Sequence, residues 1–320
     1  MSLTTGDGPG ISVILPLWQK EAHIARALES ALAAADGLAH EILVVDDGST
    51  DRGPQIARAL AGPHPQIRVI SQPNRGHAAA RNRGVRAAVA PVLAFLDSDD
   101  AWTPRHLRVL LELRIRCPEA GVFGTAHAEI TPEGRTRRLR FAHVPAEPGP
   151  LRYLRAAAHG AQPLTASSTA LTRSAFEAAG GFPEEVVNGP DRIFWARLAL
   201  GTPVAWTPEV TALYHLDAEN RLQSQWRPER GEIVLAEFER LRDTATHPDT
   251  RADLEALCRR QVRVMLNNCL RLGFRAEARA LLRRHAARAG PLATVPLALR
   301  AALPRPLIDA ARRLAHRFGR

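Results

Sequence analysis

Three carboxylates follow an apolar segment within four residues. Residues 91–96 form a nearly continuous apolar run, typical of a strand buried in a parallel sheet, and Asp97, Asp99 and Asp100 come directly after it. The acids therefore lie at the carboxyl end of the strand, where open α/β sheets bind ligands. A divalent cation can hold such carboxylates together and also binds phosphate, so Asp97 and Asp99 predict a Mg²⁺ or Mn²⁺ site that meets a nucleotide diphosphate. The alternative is an acidic turn before a helix that begins at Pro104.

A second strand end repeats this arrangement. An apolar strand over 42–45 delivers Asp46 and Asp47 to its carboxyl end, and Gly48 and Ser49 follow as turn residues. One of these acids is suited to accept a hydrogen bond from a base or from ribose hydroxyls. Because Asp-Gly is also a frequent turn pair, turn chemistry alone is the alternative.

Two further strand ends offer an aromatic ring and a basic helix start. The strand over 11–17 contains Pro16 and leads to Trp18, which is placed either to stack on a nucleobase or to pack in the core. After the strand over 67–71, a helix begins near Gly76, where free backbone N–H groups favour anions. Arg75 and Arg81 can face a diphosphate there, although helical arginines are more often solvated.

The spacing of these segments predicts one α/β domain. Strands near residues 11, 41, 67 and 91 are each followed by a helical pattern, the first over 22–35, which is the alternation of a mainly parallel sheet. All four strand ends then share one edge, so their polar residues are expected to form a single site.

These four segments, in this order and spacing, resemble family-2 glycosyltransferases of the GT-A fold, which use nucleotide-sugar donors. The resemblance covers about residues 11–217 and implies a Rossmann-like, mainly parallel central sheet flanked by helices. It implies a domain over 1–228, with a nucleotide-binding half over 11–100 and an acceptor half over 101–228. The nucleotide-sugar site that it implies comprises Pro16, Leu17, Trp18, Glu21, Asp46, Asp47, Asn74, Arg75, Gly76, Arg81, Asp97, Ser98 and Asp99.

The second half of the chain carries weaker motifs of the same family, beginning with residues 166–171. A Gly180-Gly181-Phe182 turn precedes Asp191, which matches the family's catalytic base, while Pro190 stands where a Glu is usual. The alternative for Asp191 is an acid in the first turn of a helix that Pro190 begins. His215, near the end of a predicted strand, matches a histidine that completes the metal site in many relatives, and a purely structural histidine is its alternative.

The resemblance implies transfer of a sugar, with inversion, from a nucleotide diphosphate sugar to a hydroxyl group. A UDP-sugar is the expected donor, a glycan or lipid-linked molecule the expected acceptor, and Mn²⁺ or Mg²⁺ the expected cofactor. A cation held by Asp97 and Asp99, with His215 as a third ligand, would stabilise the charge on the leaving phosphate. Asp191 would take the proton of the attacking hydroxyl.

The positive charge of the chain is concentrated near its C-terminus. The net charge is +10, and residues 251–320 contain 16 arginines against 4 acidic residues, within a region over 229–320 that has helical patterns. Apolar residues of the segment 305–320 share one helical face among arginines, which suits either an anionic membrane surface or packing on the domain. Three unpaired cysteines and the absence of a signal-peptide pattern indicate the cytoplasm, with peripheral membrane attachment as an added hypothesis.

Three rival classes explain less of the sequence. A nucleic-acid-binding protein would account for the arginines but not for the carboxylates at strand ends, and no nucleic-acid-binding motif is present, so no nucleic-acid partner is expected. A nucleotidyltransferase usually has a glycine-rich phosphate loop after the first strand, which residues 16–21 lack. A non-catalytic or membrane-binding relative is indicated only by Pro190 and by the basic C-terminal helices.

Overall fold

The computed structural model describes residues 9–219 and 226–289. The strands are β1 Ile11–Leu17, β2 His40–Asp46, β3 Ile67–Ser71, β4 Val92–Phe95, β5 Ala101–Trp102, β6 Val122–Ile130, β7 Thr136–Arg138, β8 Gly149–Leu151, β9 Thr169–Thr172 and β10 Val204–His215. The helices are α1 Ile24–Ala34, α2 Gly53–Ala61, α3 His77–Ala87, α4 His106–Arg116, α5 Tyr153–His159, α6 Arg173–Ala178, α7 Pro190–Gly201, α8 Pro228–Thr244, α9 Pro248–Leu272 and α10 Arg275–Ala289.

One mixed sheet organises the described chain. Its main path runs in the order β3-β2-β1-β4-β9-β6-β10-β5, and the first four strands are parallel. Strand β9 then pairs antiparallel with both β4 and β6, while β6 and β10 are parallel. The predicted parallel half is confirmed, and the carboxyl ends of β1 to β4 lie along one edge.

Burial on both faces explains the apolar strands. Every residue of β1 is buried, as is every residue of β4, because helices cover both faces of a parallel sheet. One core lies between the sheet and α1, α2 and α4, and a second core lies on the other face, around Phe95, Phe182 and Trp206.

The C-terminal helices pack on this second core. Phe238 of α8 and Met265 of α9 are fully buried and belong to the same apolar cluster as Phe95. The predicted helical extension is therefore present and shares a core with the sheet. Within residues 9–219 and 226–289, no helix is both long and apolar enough to span a membrane. The segment 305–320, predicted to be amphipathic, lies outside the described residues.

The acidic segment does not lead directly into a helix, although its sequence allowed a helix beginning at Pro104. Residues Ala101–Trp102 form β5, which pairs antiparallel with β10, and α4 starts only at His106 rather than at Pro104. A two-residue strand is too short to show a periodic pattern in the sequence. Its position is fixed instead by pairing with a strand more than a hundred residues away. This pairing buries Asp100 and leaves Asp97 and Asp99 partly exposed.

Candidate active site

The acidic loop after β4 presents two carboxylates that are each paired with a cation. Asp97 forms a short ion pair with Arg81 of α3, whose side chain is only 5% exposed. Asp99 lies 2.9 Å from the Nζ atom of Lys20, in the loop after β1. Each of the two partly exposed acids therefore has an opposite charge directly beside it.

The buried Asp100 fixes the acidic loop through two hydrogen bonds. Its carboxylate accepts hydrogen bonds from the Ser167 hydroxyl at 2.5 Å and from the His215 backbone N–H at 3.2 Å. Burial and the neighbouring Asp99 and Asp97 raise the pKa of Asp100 well above its ordinary value. The Ser167 hydroxyl also lies 3.1 Å from the backbone nitrogen of Asp97, so one serine fixes both ends of the acidic segment.

Asp47 organises the loop that leads into α3. Its Oδ1 atom accepts hydrogen bonds from the side chain of Gln72 and from the backbone N–H of Arg75, and its Oδ2 atom accepts one from the backbone N–H of Gly76. Gly76 has a φ of 89°, and Gly48, at 73°, has no room for a Cβ atom, which would lie 2.9 Å from the Asn74 nitrogen. These contacts shape the helix start that was predicted to face a diphosphate.

We expect Asp47→Asn to destabilise the fold by about 2 kcal/mol, since a buried, charge-assisted acceptor of two backbone N–H groups would be replaced by a neutral amide. Urea unfolding measures this change. Asp36→Asn is the control, because Asp36 is exposed on the surface. Equal unfolding free energies for the two variants would contradict the structural role of Asp47.

Asp46 and Glu21 are likewise engaged by this chain. Asp46 accepts hydrogen bonds from the Ser49 backbone N–H at 2.9 Å and from the Ser71 hydroxyl at 3.1 Å. Glu21 accepts one from the backbone N–H of Arg52, which lowers the pKa of Glu21 below its ordinary value. Both acids therefore hold loops in place at the predicted nucleotide pocket.

The residues at the end of β1 differ in what they offer a ligand. Pro16 and Leu17 are buried in the strand, and the Leu17 carbonyl accepts the N–H of Asp47, so their side chains belong to the core. Trp18 is 39% exposed, which favours the predicted stacking surface over the core alternative. Asn74 is exposed, whereas Ser98 is buried.

The two arginines predicted at the helix start have separate surroundings. Arg75 is mostly exposed and pairs with Glu184 at 3.0 Å. Arg81 is not on a solvated face: its guanidinium lies 5.3 Å from the centre of the Phe182 ring and pairs with Asp97. Its buried Nε and Nη1 atoms have no hydrogen-bond partner among the described residues. Unsatisfied buried donors of this kind suit an anionic ligand such as a phosphate.

A divalent cation fits Asp97 and Asp99 only with help from a ligand. Within residues 9–219 and 226–289, no three His, Cys, Asp or Glu side chains converge on a common metal position. The set Asp97, Asp99 and His215 is therefore not preformed, because each carboxylate is engaged by its own cationic side chain. Mg²⁺ is commonly bound by one or two carboxylates with substrate phosphates and waters, and two partly exposed carboxylates fit that pattern.

His215 lies near this site at the end of β10. Burial and then the Arg26 guanidinium lower the pKa of His215 below its ordinary value, and Asp99 is among the charges that act on it. The imidazole is therefore neutral at neutral pH, which is the form that binds metals.

Asp191 lies in the first turn of α7, as its sequence predicted. Gly189, with a φ of 83°, precedes Pro190 at the first helical position. Asp191 is partly exposed and has no hydrogen bond within the described part of the chain, although it is close enough to Tyr153 to help raise the pKa of that buried phenol. No hydrogen bond to the described residues therefore fixes its carboxylate.

Phe182 links α7 to the acidic loop. Its ring centre lies 4.1 Å from that of Phe194 in α7 and 5.4 Å from that of Phe95 at the end of β4. Asn82 fixes this turn, because its side chain exchanges hydrogen bonds with both backbone groups of Phe182. The glycine-phenylalanine turn thus positions the helix of Asp191 relative to Arg81.

Sequence reasoning missed several polar residues that complete the acidic loop. Lys20 and Ser167 contact it directly, and Arg26 of α1 donates to the Asp99 carbonyl at 2.7 Å and to Asp217 at 3.1 Å. Ser167 had a signal, since it lies in the motif over 166–171. Arg26 had none, because its partners lie 73 and 191 residues away.

A half-parallel sheet in this strand order, with acids at the carboxyl edge, defines the GT-A class of α/β folds. The profile of "Glycosyl transferase family 2" matches residues 12–179, just over half of the chain, and the chain therefore belongs to that family.

Curated relatives match about a third of the chain. An uncharacterised glycosyltransferase, YibD, of Escherichia coli is 35% identical over 105 residues, which are 33% of this chain and 30% of YibD. Succinoglycan biosynthesis protein ExoO of Rhizobium meliloti is 40% identical over 105 residues, 32% of this chain and 29% of ExoO. ExoU, of the same organism and description, is 38% identical over 125 residues, 36% of each protein. The matched stretch thus spans about a third of these relatives.

Two solved structures share the fold over most of the chain. Staphylococcus aureus TarS 1-349 in complex with UDP-GlcNAc has a TM-score of 0.63 at 19% identity, covering 85% of this chain and 79% of that one. Mannosyltransferase PcManGT from Pyrobaculum calidifontis, in complex with GDP-Man and Mn²⁺, has a TM-score of 0.60 at 21% identity, covering 96% of this chain and 81% of that one. At these identities the likeness establishes the fold.

Proposed function

We propose that this chain transfers a sugar from a nucleotide diphosphate sugar, with a UDP-sugar as the first candidate, to a hydroxyl of a glycan or lipid-linked acceptor. The observation that carries the proposal is the pair Asp97 and Asp99 at the carboxyl edge of the sheet, each beside a buried or half-buried cation. Such an arrangement suits a divalent cation and a diphosphate together. Membership in glycosyl transferase family 2 supports the same activity.

The donor class draws support from the solved neighbours. TarS is described with UDP-GlcNAc, and PcManGT with GDP-Man and Mn²⁺. In this chain the exposed Trp18 ring is the proposed base-stacking surface, and the buried Arg81 donors are the proposed contacts of the diphosphate. The proposed ligands of the divalent cation are Asp99, with Asp97 and His215 beside it. When bound, the cation would neutralise charge on the leaving diphosphate.

The proposed chemistry on the acceptor side is general-base catalysis by Asp191. Its carboxylate takes the proton of the attacking hydroxyl, whose oxygen forms the new bond as the bond to the diphosphate breaks. Attack from the face opposite the leaving group inverts the anomeric centre. The description of ExoO and ExoU as succinoglycan biosynthesis proteins supports a polysaccharide precursor as the acceptor class.

A thermal-shift panel of UDP-, GDP- and dTDP-sugars, each with Mn²⁺ and with EDTA, tests the donor proposal. We expect one nucleotide class to raise the melting temperature with Mn²⁺, since a ligand that binds only the folded state stabilises it. Release of the free nucleoside diphosphate from that donor then measures turnover. A panel without any shift, together with no release, would contradict the proposal.

We also propose that the chain works at the cytoplasmic face of a membrane that carries its acceptor. The support is the sequence of residues 305–320, whose spacing predicts that Leu307, Ala311, Leu314 and Phe318 would share one face of a helix among arginines. Co-sedimentation with anionic vesicles, compared with a chain that ends at residue 289, tests this point, and equal pelleting of the two would contradict it.

A further inference from the structure

The only lysine of this chain lies at the proposed cation site. Of the 43 lysine and arginine residues, Lys20 is the one lysine, and its side chain pairs with Asp99. Its Nζ atom lies 2.9 Å from Oδ2 of Asp99 and 2.8 Å from the backbone oxygen of Glu219. The Lys20 side chain is only 12% exposed, so this ion pair is largely shielded from water.

The second carboxylate of the loop is held in a different way. Asp97 is paired with Arg81 of α3, which is buried and lies over the Phe182 ring. A guanidinium holds a carboxylate through a rigid, planar set of donors, whereas an ammonium is a compact point charge on a flexible stem. Arg26 donates to the backbone carbonyl of Asp99, whereas among the described residues it is Lys20 that forms an ion pair with the Asp99 carboxylate.

We propose that Lys20 is an internal counter-cation that occupies the place of the divalent cation at Asp99 and competes with it. This inference rests on the proposed function, which assigns the cation to Asp99. Without a donor, a cation that binds Asp99 must push the Lys20 ammonium group aside, and two positive charges then lie close together. A bound diphosphate adds negative oxygens that pair with both Lys20 and the cation, so tight cation binding becomes conditional on the donor.

The lysine, rather than an arginine, is what allows this exchange. Lys20→Met removes the competing charge while keeping a long apolar stem. Lys20→Arg keeps the charge but supplies a planar donor set that grips the carboxylate more firmly. The two variants are therefore expected to change cation binding in opposite directions.

Calorimetric titration of Mn²⁺ into the nucleotide-free, full-length protein tests the proposal. We expect Lys20→Met to lower the dissociation constant at least about threefold, the range in which a partly exposed ion pair acts, and Lys20→Arg to raise it. Asp99→Asn, titrated in parallel, identifies the heat that belongs to this site. Arg68→Met is the matched control, because it removes one charge from an ion pair with Glu41 at the opposite edge of the sheet. Equal constants for wild type and Lys20→Met would overturn the proposal.

A single lysine also gives a direct spectroscopic reading. In protein labelled with ¹³C-lysine, the side-chain signal of Lys20 should shift when UDP or GDP is added with Mg²⁺, and it should shift little with Mg²⁺ alone. An unchanged signal under the condition that gives nucleotide binding would overturn the inference and leave the proposed function intact. Absence of cation-dependent nucleotide binding in the wild type would instead overturn both.

Discussion

Asp191→Asn is expected to reduce sugar transfer by about 10²–10⁴-fold and to leave donor binding unchanged. The amide keeps the shape of the side chain at the start of α7 but cannot accept the proton of the attacking hydroxyl. Because Asp191 lies in the first helical turn, without hydrogen bonds to other described residues, the substitution breaks no hydrogen bond within the described part of the chain. Release of the nucleoside diphosphate measures the rate, and calorimetry with the donor measures binding.

Glu185→Gln is the matched control for this experiment, since Glu185 is an exposed acid in the same segment. Its rate should equal that of the wild type. Transfer by Asp191→Asn at the wild-type rate would remove this residue from the mechanism, and a parallel loss of donor binding would assign it to the pocket instead.

Asp99→Asn should weaken cation-dependent nucleotide binding by at least about tenfold, because a charge-assisted contact of about 1.5–3 kcal/mol is lost. Transfer should fall with it, since the leaving diphosphate loses its counter-charge. Calorimetry with the nucleotide, in Mn²⁺ and again in EDTA, measures the effect.

Two features make this substitution interpretable. Asp99 is 23% exposed, and its ion-pair partner among the described residues is Lys20, so the fold should tolerate an amide there. Asp36→Asn changes the same group at an exposed position away from the site and should leave the affinity unaltered. Binding by Asp99→Asn that still responds to Mn²⁺ as the wild type does would exclude Asp99 as a ligand.

The parallel half of the sheet could be predicted from sequence because its signals are local. Strands β1, β2 and β4 are largely apolar runs followed by polar residues, and their composition predicts burial on both faces. The antiparallel half could not be predicted in the same way. Strand β5 has two residues and β8 has three, and their pairing with β10 is set by tertiary contacts.

The site shows the same division. The sequence shows that acids lie at the ends of β2 and β4. What each acid binds depends on residues distant in the sequence. Asp47 binds the backbone at residues 75 and 76, so it shapes the pocket from within the fold. Arg81 was compatible with a solvated helix face, and only the packing of Phe182 above it explains its burial. Local sequence patterns do not predict such long-range contacts.

The proposed function depends on a divalent cation that joins Asp99 to the diphosphate of the donor. A crystal of the full-length protein with Mn²⁺ and the nucleotide diphosphate selected by the panel tests it directly, through the anomalous signal of manganese. We expect one manganese peak that contacts both the Asp99 carboxylate and a diphosphate oxygen, with Lys20 displaced from Asp99. A bound nucleotide with no manganese peak, and with Asp99 still paired to Lys20, would contradict it.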